Sequence, residues 1–149
     1  SFTVAEEVGL RGAATVAAQV EPDAALVLEG TVDGSTPGVA AANRPSERGR
    51  GAALTTMDKS FIVPARMLQF LEGVAAAEGI PTQRRRPGFG GTNAGALHTS
   101  HLGVLCGVIA APCRYIHSPH GCAHLDDLEA MVRLAVAATR RIGDLIQPR

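Results

Sequence analysis

"VLCGVIAA", residues Val104–Ala111, decides the fold class. The run is apolar at every position, so it has no face to offer to water and reads as a strand covered on both sides. "AALVL", Ala24–Leu28, reads the same way. Ala52–Thr56 and the short apolar Phe2–Ala5 are further strand candidates. Pro81–Arg86 fits an edge strand, because a proline and three consecutive arginines, Arg84, Arg85 and Arg86, are easiest to hold at a solvated margin. Helical patterns lie between these runs. Gly9–Val20 is alanine-rich and stops before Pro22. From Pro64 to Gly79, Met67, Leu68, Leu71, Val74 and Ala75 recur at helical spacing. "GFGGTNAGA", Gly88–Ala96, is a glycine-rich turn leading into a short helix. Leu125–Ile146 is amphipathic, with Leu125, Leu128, Val132, Ala135 and Ile142 as its apolar face, and with Asp126, Asp127 and Glu129 near the positive end of the dipole. Strands alternating with helices predict an α/β architecture, a mixed, largely parallel central sheet flanked by helices.

Composition narrows the functional classes. The 149 residues, 46% of them hydrophobic, suffice for one domain with a real core. Lys plus Arg is 14 and Asp plus Glu is 14, which gives no reason to expect a nucleic-acid partner. The cysteines, Cys106, Cys113 and Cys122, are odd in number and lack a CxxC spacing, so a reducing compartment, the cytoplasm, is the simplest reading. No apolar run is long enough to span a membrane. Gly30–Gly51 is long for a structureless connection and reads as a functional or mobile loop.

The polar residues at the strand ends carry the chemistry. In open α/β sheets ligands bind beyond the carboxyl ends of the strands. Here the first candidate strand runs into Glu6 and Glu7, the second into Glu29, and the third through "AAPCRYIHSP" to His117. Carboxylates and an imidazole at one sheet edge form a metal-site composition, and the oxygen and nitrogen donors suit zinc, cobalt or manganese. Adjacent residues of an extended segment point in opposite directions, so Glu6 and Glu7 are expected to divide the work, one toward a metal and one toward a proton. The glycine-rich stretch lacks the GK[ST] ending of a phosphate cradle and is expected to pack its backbone beside the site. A glycosidase carboxylate pair ranks last, because sugar clefts favour aromatic platforms and the chain has no Trp and a single Tyr.

"FTVAEEVGLRGA", "LEGTVDGSTPG", "GGTNAGALH" and "RYIHSP", in this order from Phe2 to Pro119, resemble the M42 glutamyl-aminopeptidase family of dinuclear metalloaminopeptidases, the TET-like peptidases. The resemblance implies a zinc-peptidase-like catalytic domain of which residues 1–149 are the C-terminal part, with the N-terminal strands and an inserted dimerisation domain absent, so that the fold is incomplete on its N-terminal side. It implies two divalent metal ions, Glu6 as general base, and Glu7, Glu29 and His117 as metal ligands. A further His and a bridging Asp, both preceding the glutamate pair in the family, are not among these residues. Asn93 stands where the family motif usually has Asp, and is placed with His98, Arg114 and Tyr115 beside the substrate or behind the ligands. The implied substrate is a short peptide and the implied whole protein a homo-oligomer. A non-catalytic fragment or subunit, keeping the fold for assembly or binding, is the alternative.

Overall fold

The computed structural model describes residues 1–146. The elements run α1 (Arg11–Val20), β1 (Ala24–Val32), β2 (Ala52–Thr55), α2 (Ala65–Ala77), β3 (Thr82–Arg85), α3 (Ala94–Leu97), β4 (Leu105–Arg114), β5 (Cys122–Ala123) and α4 (Leu125–Arg141), with short 3₁₀ turns at Ala41–Asn43 and Ile142–Asp144. The sheet order is β1-β4-β2-β3, with β5 paired to the end of β4. β1 runs parallel to β4 over nine residue pairs, from Ala24↔Leu105 to Val32↔Cys113. β2 runs parallel to β3. The two parallel pairs join at an antiparallel seam, Ala53↔Ala110 and Leu54↔Ile109. The result is the expected mixed, mostly parallel sheet with helices packed against it.

The Val104–Ala111 run lies at the centre. Every residue of this stretch is buried, and Gly107 permits a close approach: a Cβ there would lie 2.9 Å from Met67 Cγ and 3.0 Å from its Sδ. Glycine therefore lets α2 settle directly onto β4. Met67, Leu71 and Val74 of α2 and Ala130, Leu134 and Ala138 of α4 complete this core with Leu54 and Ile109. Pro64 precedes α2, and Gly79, in a left-handed conformation with φ 60°, follows it, as their residue types require.

Three expectations about burial are corrected. Phe2–Ala5 is not a strand: Phe2 and Val4 are exposed, and the Val4 and Ala5 carbonyls accept instead from the Gly12 and Arg11 N–H groups at the start of α1. A strand needs a neighbouring edge, and no described residue supplies one there. Ala24–Leu28 belongs to an edge strand rather than a doubly covered one, with Val27 buried and Leu28 exposed. The apolar face expected for the last helix is only partly inward: Ala135 and Ile142 pack against the core, but Leu125 is 78% and Val132 54% exposed, and Leu128 is also exposed, whereas Asp127, Ala130, Leu134 and Ala138 are buried. Asp127 accounts for the rotation. Its two carboxylate oxygens accept from the N–H groups of Gly49 and Gly51, each at 2.7 Å, which draws its side of α4 against the sheet. Gly51 has φ 85°, and a Cβ there would overlap the Pro81 carbonyl.

The Gly30–Gly51 connection is tied down. The Gly34 N–H donates to the Ser46 carbonyl at 2.7 Å, and Ser46 Oγ to the Val32 carbonyl at 2.7 Å. Asp33, buried, accepts from the Ser35 N–H and from Arg48 Nε, both at 2.8 Å, and pairs with Arg114 at 3.3 Å.

Candidate active site

A cavity of about 290 Å³ opens where β1 and β4 approach the glycine-rich turn. Glu6, Glu7, Glu29 and His117 all line it, from three separate stretches of the chain. Glu6 and Glu7 lie at the start of a turn, not in an extended strand: the Glu6 carbonyl accepts from Gly9 and Leu10, and Ala5 before it has φ 59°. Turn geometry rather than strand alternation therefore places them, and both reach the same cavity. They still differ in environment. Glu6 is half-buried and its carboxyl is pushed up, first by burial and then by Glu7, with His117 pulling it down. Glu7 is exposed and its Oε1 meets His117 Nδ1 at 2.9 Å.

His117 follows β4 on a turn in which Tyr115 and His117 both have φ 61°. Glu29 sits within β1, three residues before its end, opposite Ala110. Its Oε1 is buried without a hydrogen-bond partner. Its carboxyl is raised to about 7, chiefly by burial and then by Glu6, while the Asn93 N–H lowers it and Glu7 and Asp58 raise it further. Negative groups crowd together here, and a cation would relieve them.

The four other sequence candidates lie outside the cavity wall. Asn93, at the start of α3, donates from Nδ2 to Thr3 Oγ1 at 3.2 Å, and its Oδ1 is buried without a partner. His98 closes α3 with Nδ1 3.0 Å from the Ala94 carbonyl and its ring against Phe61, and it faces a different cavity. Arg114 is taken up by Asp33 and Ser35. Tyr115 is exposed.

The opposite wall was missed in the sequence. Arg85 is 5% exposed, although a run of three arginines reads as a solvated edge. Its neighbours do follow that reading: Arg84 pairs with Glu72 and Arg86 reaches the Ala42 carbonyl. Arg85 instead lines the cavity, donates from Nη2 to the Phe89 carbonyl, and keeps Nε and Nη1 buried without partners. Burial lowers its pKa and Asp58 partly offsets that. Asp58 is itself buried, and both its oxygens accept: Oδ1 from the Ser60 N–H and hydroxyl, each at 2.7 Å, and from the Phe61 N–H at 3.0 Å, and Oδ2 from Thr92 Oγ1 at 3.1 Å. Strand alternation is the signal that could have found Arg85, since Arg84 and Arg85 must face opposite sides of β3.

Comparison with known proteins gives the family. Residues 1–134 match the M42 glutamyl aminopeptidase family. A TET aminopeptidase from a marine sediment thaumarchaeote superposes with a TM-score of 0.88 at 41% identity, over 93% of this chain and 39% of that one. An aminopeptidase from the archaeon Desulfurococcus kamchatkensis gives 0.87 at 37% identity, over 91% of this chain and 38% of that one. The glutamyl aminopeptidase of Lactococcus lactis subsp. cremoris is 34% identical over 137 residues, 91% of this chain and 37% of its own length. The chain thus spans about two fifths of the length of the relatives it matches. It belongs to the M42 glutamyl aminopeptidase family.

Proposed function

We propose that this member of the M42 family forms part of the catalytic domain of an aminopeptidase that hydrolyses the N-terminal peptide bond of short peptides. The observation that carries the reading is the meeting of Glu6, Glu7, Glu29 and His117 in one cavity. Among the described residues no group of three His, Cys, Asp or Glu side chains is placed to hold one metal ion. The donor chemistry nonetheless fits a shared dinuclear site: an orphaned, buried carboxylate oxygen on Glu29 and an imidazole–carboxylate pair at His117 and Glu7 each offer part of a ligand set. Glu7, Glu29 and His117 would hold the ions, with the remaining ligands supplied from outside residues 1–149. Two divalent ions of the zinc, cobalt or manganese type, when bound, supply Lewis-acid polarisation of the scissile carbonyl and acidify water.

The chain's own residues do the rest. Glu6 is the general base: its carboxyl is raised by burial and then by Glu7, which favours its taking a proton from water and returning it to the leaving amine. Glu7 orients His117 through the 2.9 Å contact. The glycine-rich stretch Gly90–Thr92 lines the cavity. Homo-oligomeric assembly is proposed for the whole protein. No helix of the described residues is long and apolar enough to cross a membrane.

Chelation and metal readdition on the full-length protein test this reading with an aminoacyl amide. Activity should vanish and return. Glu6→Gln should lower kcat by about 10²- to 10⁴-fold while the metal content, measured by elemental analysis, stays unchanged. Residues 1–149 alone should be inactive. Activity indifferent to chelator sinks the metallopeptidase reading. The second reading, a non-catalytic piece for assembly or binding, is favoured by the missing third ligand and would stand if the full-length protein binds peptide but never hydrolyses it.

A further inference from the structure

The segment Phe2–Val8 carries the glutamate pair on little support. Most of it is exposed. Its main-chain carbonyls accept only from residues 9–12: Val4 from Gly12, Ala5 from Arg11, Glu6 from Gly9 and Leu10, and Val8 from Arg11 Nε. These bonds are local. They shape the turn and join it to the start of α1. Among the described residues, two side chains of the segment make polar contacts with distant parts of the chain. Glu7 reaches His117, but that pair is exposed and a weak anchor. Thr3 is the other. It is half-buried, and its Oγ1 accepts from Asn93 Nδ2 at 3.2 Å, 90 residues away in sequence.

Asn93 is held far more firmly. Thr92 before it donates to the buried Asp58 at 3.1 Å, and a Cβ at Gly95 after it would overlap Ser60, so the start of α3 packs directly onto the Asp58–Ser60 turn. The Asn93 carbonyl accepts from the N–H groups of Ala96 and Leu97 at 3.2 and 3.1 Å. From this point the residue reaches two ways. Its N–H acts on the Glu29 carboxylate and draws its pKa down. Its Nδ2 holds Thr3, three residues before Glu6. The remaining amide atom, Oδ1, is buried without a partner, a penalty that an apolar side chain would not carry. Packing alone therefore does not account for an amide here. Asparagine also suits the place better than aspartate, because it donates to Thr3 without adding a charge to the acids around Glu29.

We propose that Asn93 is a positioning residue, which holds the Glu6–Glu7 turn against Glu29 through Thr3 and so sets where the general base stands relative to a metal ligand. The chemical role of Glu6 rests on the aminopeptidase reading; the mechanical link does not.

Hydrogen exchange of the full-length protein, read by mass spectrometry, tests the link in the peptide spanning Thr3–Gly12, whose Gly9, Leu10, Arg11 and Gly12 N–H groups close the turn. Asn93→Ala and Thr3→Val should each speed exchange there by about 3- to 10-fold, while the peptides of α2 and β4 keep wild-type rates. The double variant should exchange no faster than either single one, because both remove the same bond. Thr3→Ser keeps the hydroxyl and should exchange as wild type. On an aminoacyl amide, both single variants should lose about 3- to 10-fold in kcat, with KM and metal content unchanged. Wild-type exchange in both single variants, effects that add in the double variant, or a rise that spreads to α2 and β4 overturns the proposal. So does a change confined to KM or metal content, or a wild-type kcat where exchange has risen. If the wild-type full-length protein hydrolyses nothing, the aminopeptidase reading falls, and the exchange rates of the four variants still decide whether Asn93 holds the turn.

Discussion

The two walls of the cavity are built on opposite plans. One carries Glu6, Glu7, Glu29 and His117, presented by two turns with left-handed residues and by an edge strand. Its charges are of one dominant sign, and the most buried of them, Glu29, has a carboxylate oxygen with no partner. The other carries Arg85, Thr92 and, behind them, Asp58, all buried; both Asp58 oxygens accept hydrogen bonds, while Nε and Nη1 of Arg85 have no partner. The first wall is crowded with acids, and the second fixes its one acid firmly in place. A chemical site needs both: groups whose free energy changes when something binds, and a frame that does not yield when it does.

Removing the frame should give the largest effect. Asp58→Ala deletes four accepted hydrogen bonds and strands Arg85 without a counter-charge, and should cost about 3 to 5 kcal/mol in urea unfolding. A loss below about 1 kcal/mol would erase the distinction between the walls. Next is Asp33, a buried acid outside the cavity whose donors are all present. Burial pushes its carboxyl up, but hydrogen bonds from Ser35 and Arg48 outweigh this and bring it from 3.8 down to about 2. A depressed carboxyl stabilises the fold above its unfolded pKa and loses that contribution as pH falls through its folded one. About 2 kcal/mol should therefore disappear between pH 4 and pH 2, and Asp33→Asn should flatten that part of the pH–stability curve.

Glu29 has the opposite sign and a smaller amplitude. Its carboxyl is raised from 4.5 to about 7, so the folded chain holds the proton more tightly than the unfolded one. Stability should be greatest below pH 4.5, fall as pH rises to 7, and stay flat above. Partial solvent screening reduces the effect, and Glu29→Gln should stabilise the metal-free chain by about 1 kcal/mol at pH 8 and by nothing at pH 4. A wild-type curve that rises between pH 4.5 and 7 and flattens in Glu29→Gln would refute the crowding of that wall. The smallest effect belongs to the exposed pair, with His117 and Glu7 side chains 64% and 69% exposed. Glu7→Gln should change stability by less than about 0.5 kcal/mol while weakening metal binding in the full-length protein. A thermal melt and a metal titration on the same variant separate the two.

What was legible in the sequence follows the same division. Runs such as Val104–Ala111 and the Met67–Ala75 pattern report their own surroundings, and α2 and β4 stand where the pattern puts them. Glu6, Glu7, Glu29 and His117 line one cavity, but by other means than the expected strand ends: Glu6 and Glu7 come from a turn and Glu29 from within β1. Long-range partnership was not legible. Phe2–Ala5 has the composition of a strand but no edge to join, and Ala24–Leu28 looks central but lies at the margin. On α4 the buried side contains an aspartate, because the glycine N–H groups that satisfy it lie more than seventy residues away in sequence. Arg85 escaped for a similar reason: its burial depends on Asp58 and on the turn at Phe89, not on the arginines beside it.

The antiparallel seam of two residue pairs has a consequence for how such a site can be tuned. Glu29 and the turn bearing His117 belong to the β1–β4 half, and Arg85 to the β2–β3 half, so the cavity straddles the join. Ala53 and Ala110, the paired alanines of that join, are both fully buried, and Ala110 also looks into the cavity. Side-chain volume at position 110 therefore sets the depth of the cavity floor between the acidic and basic poles. A methyl group leaves the depth found here, and each added carbon would fill the cavity from below while the backbone ladder holds the strand spacing, without altering a single residue that carries its charges.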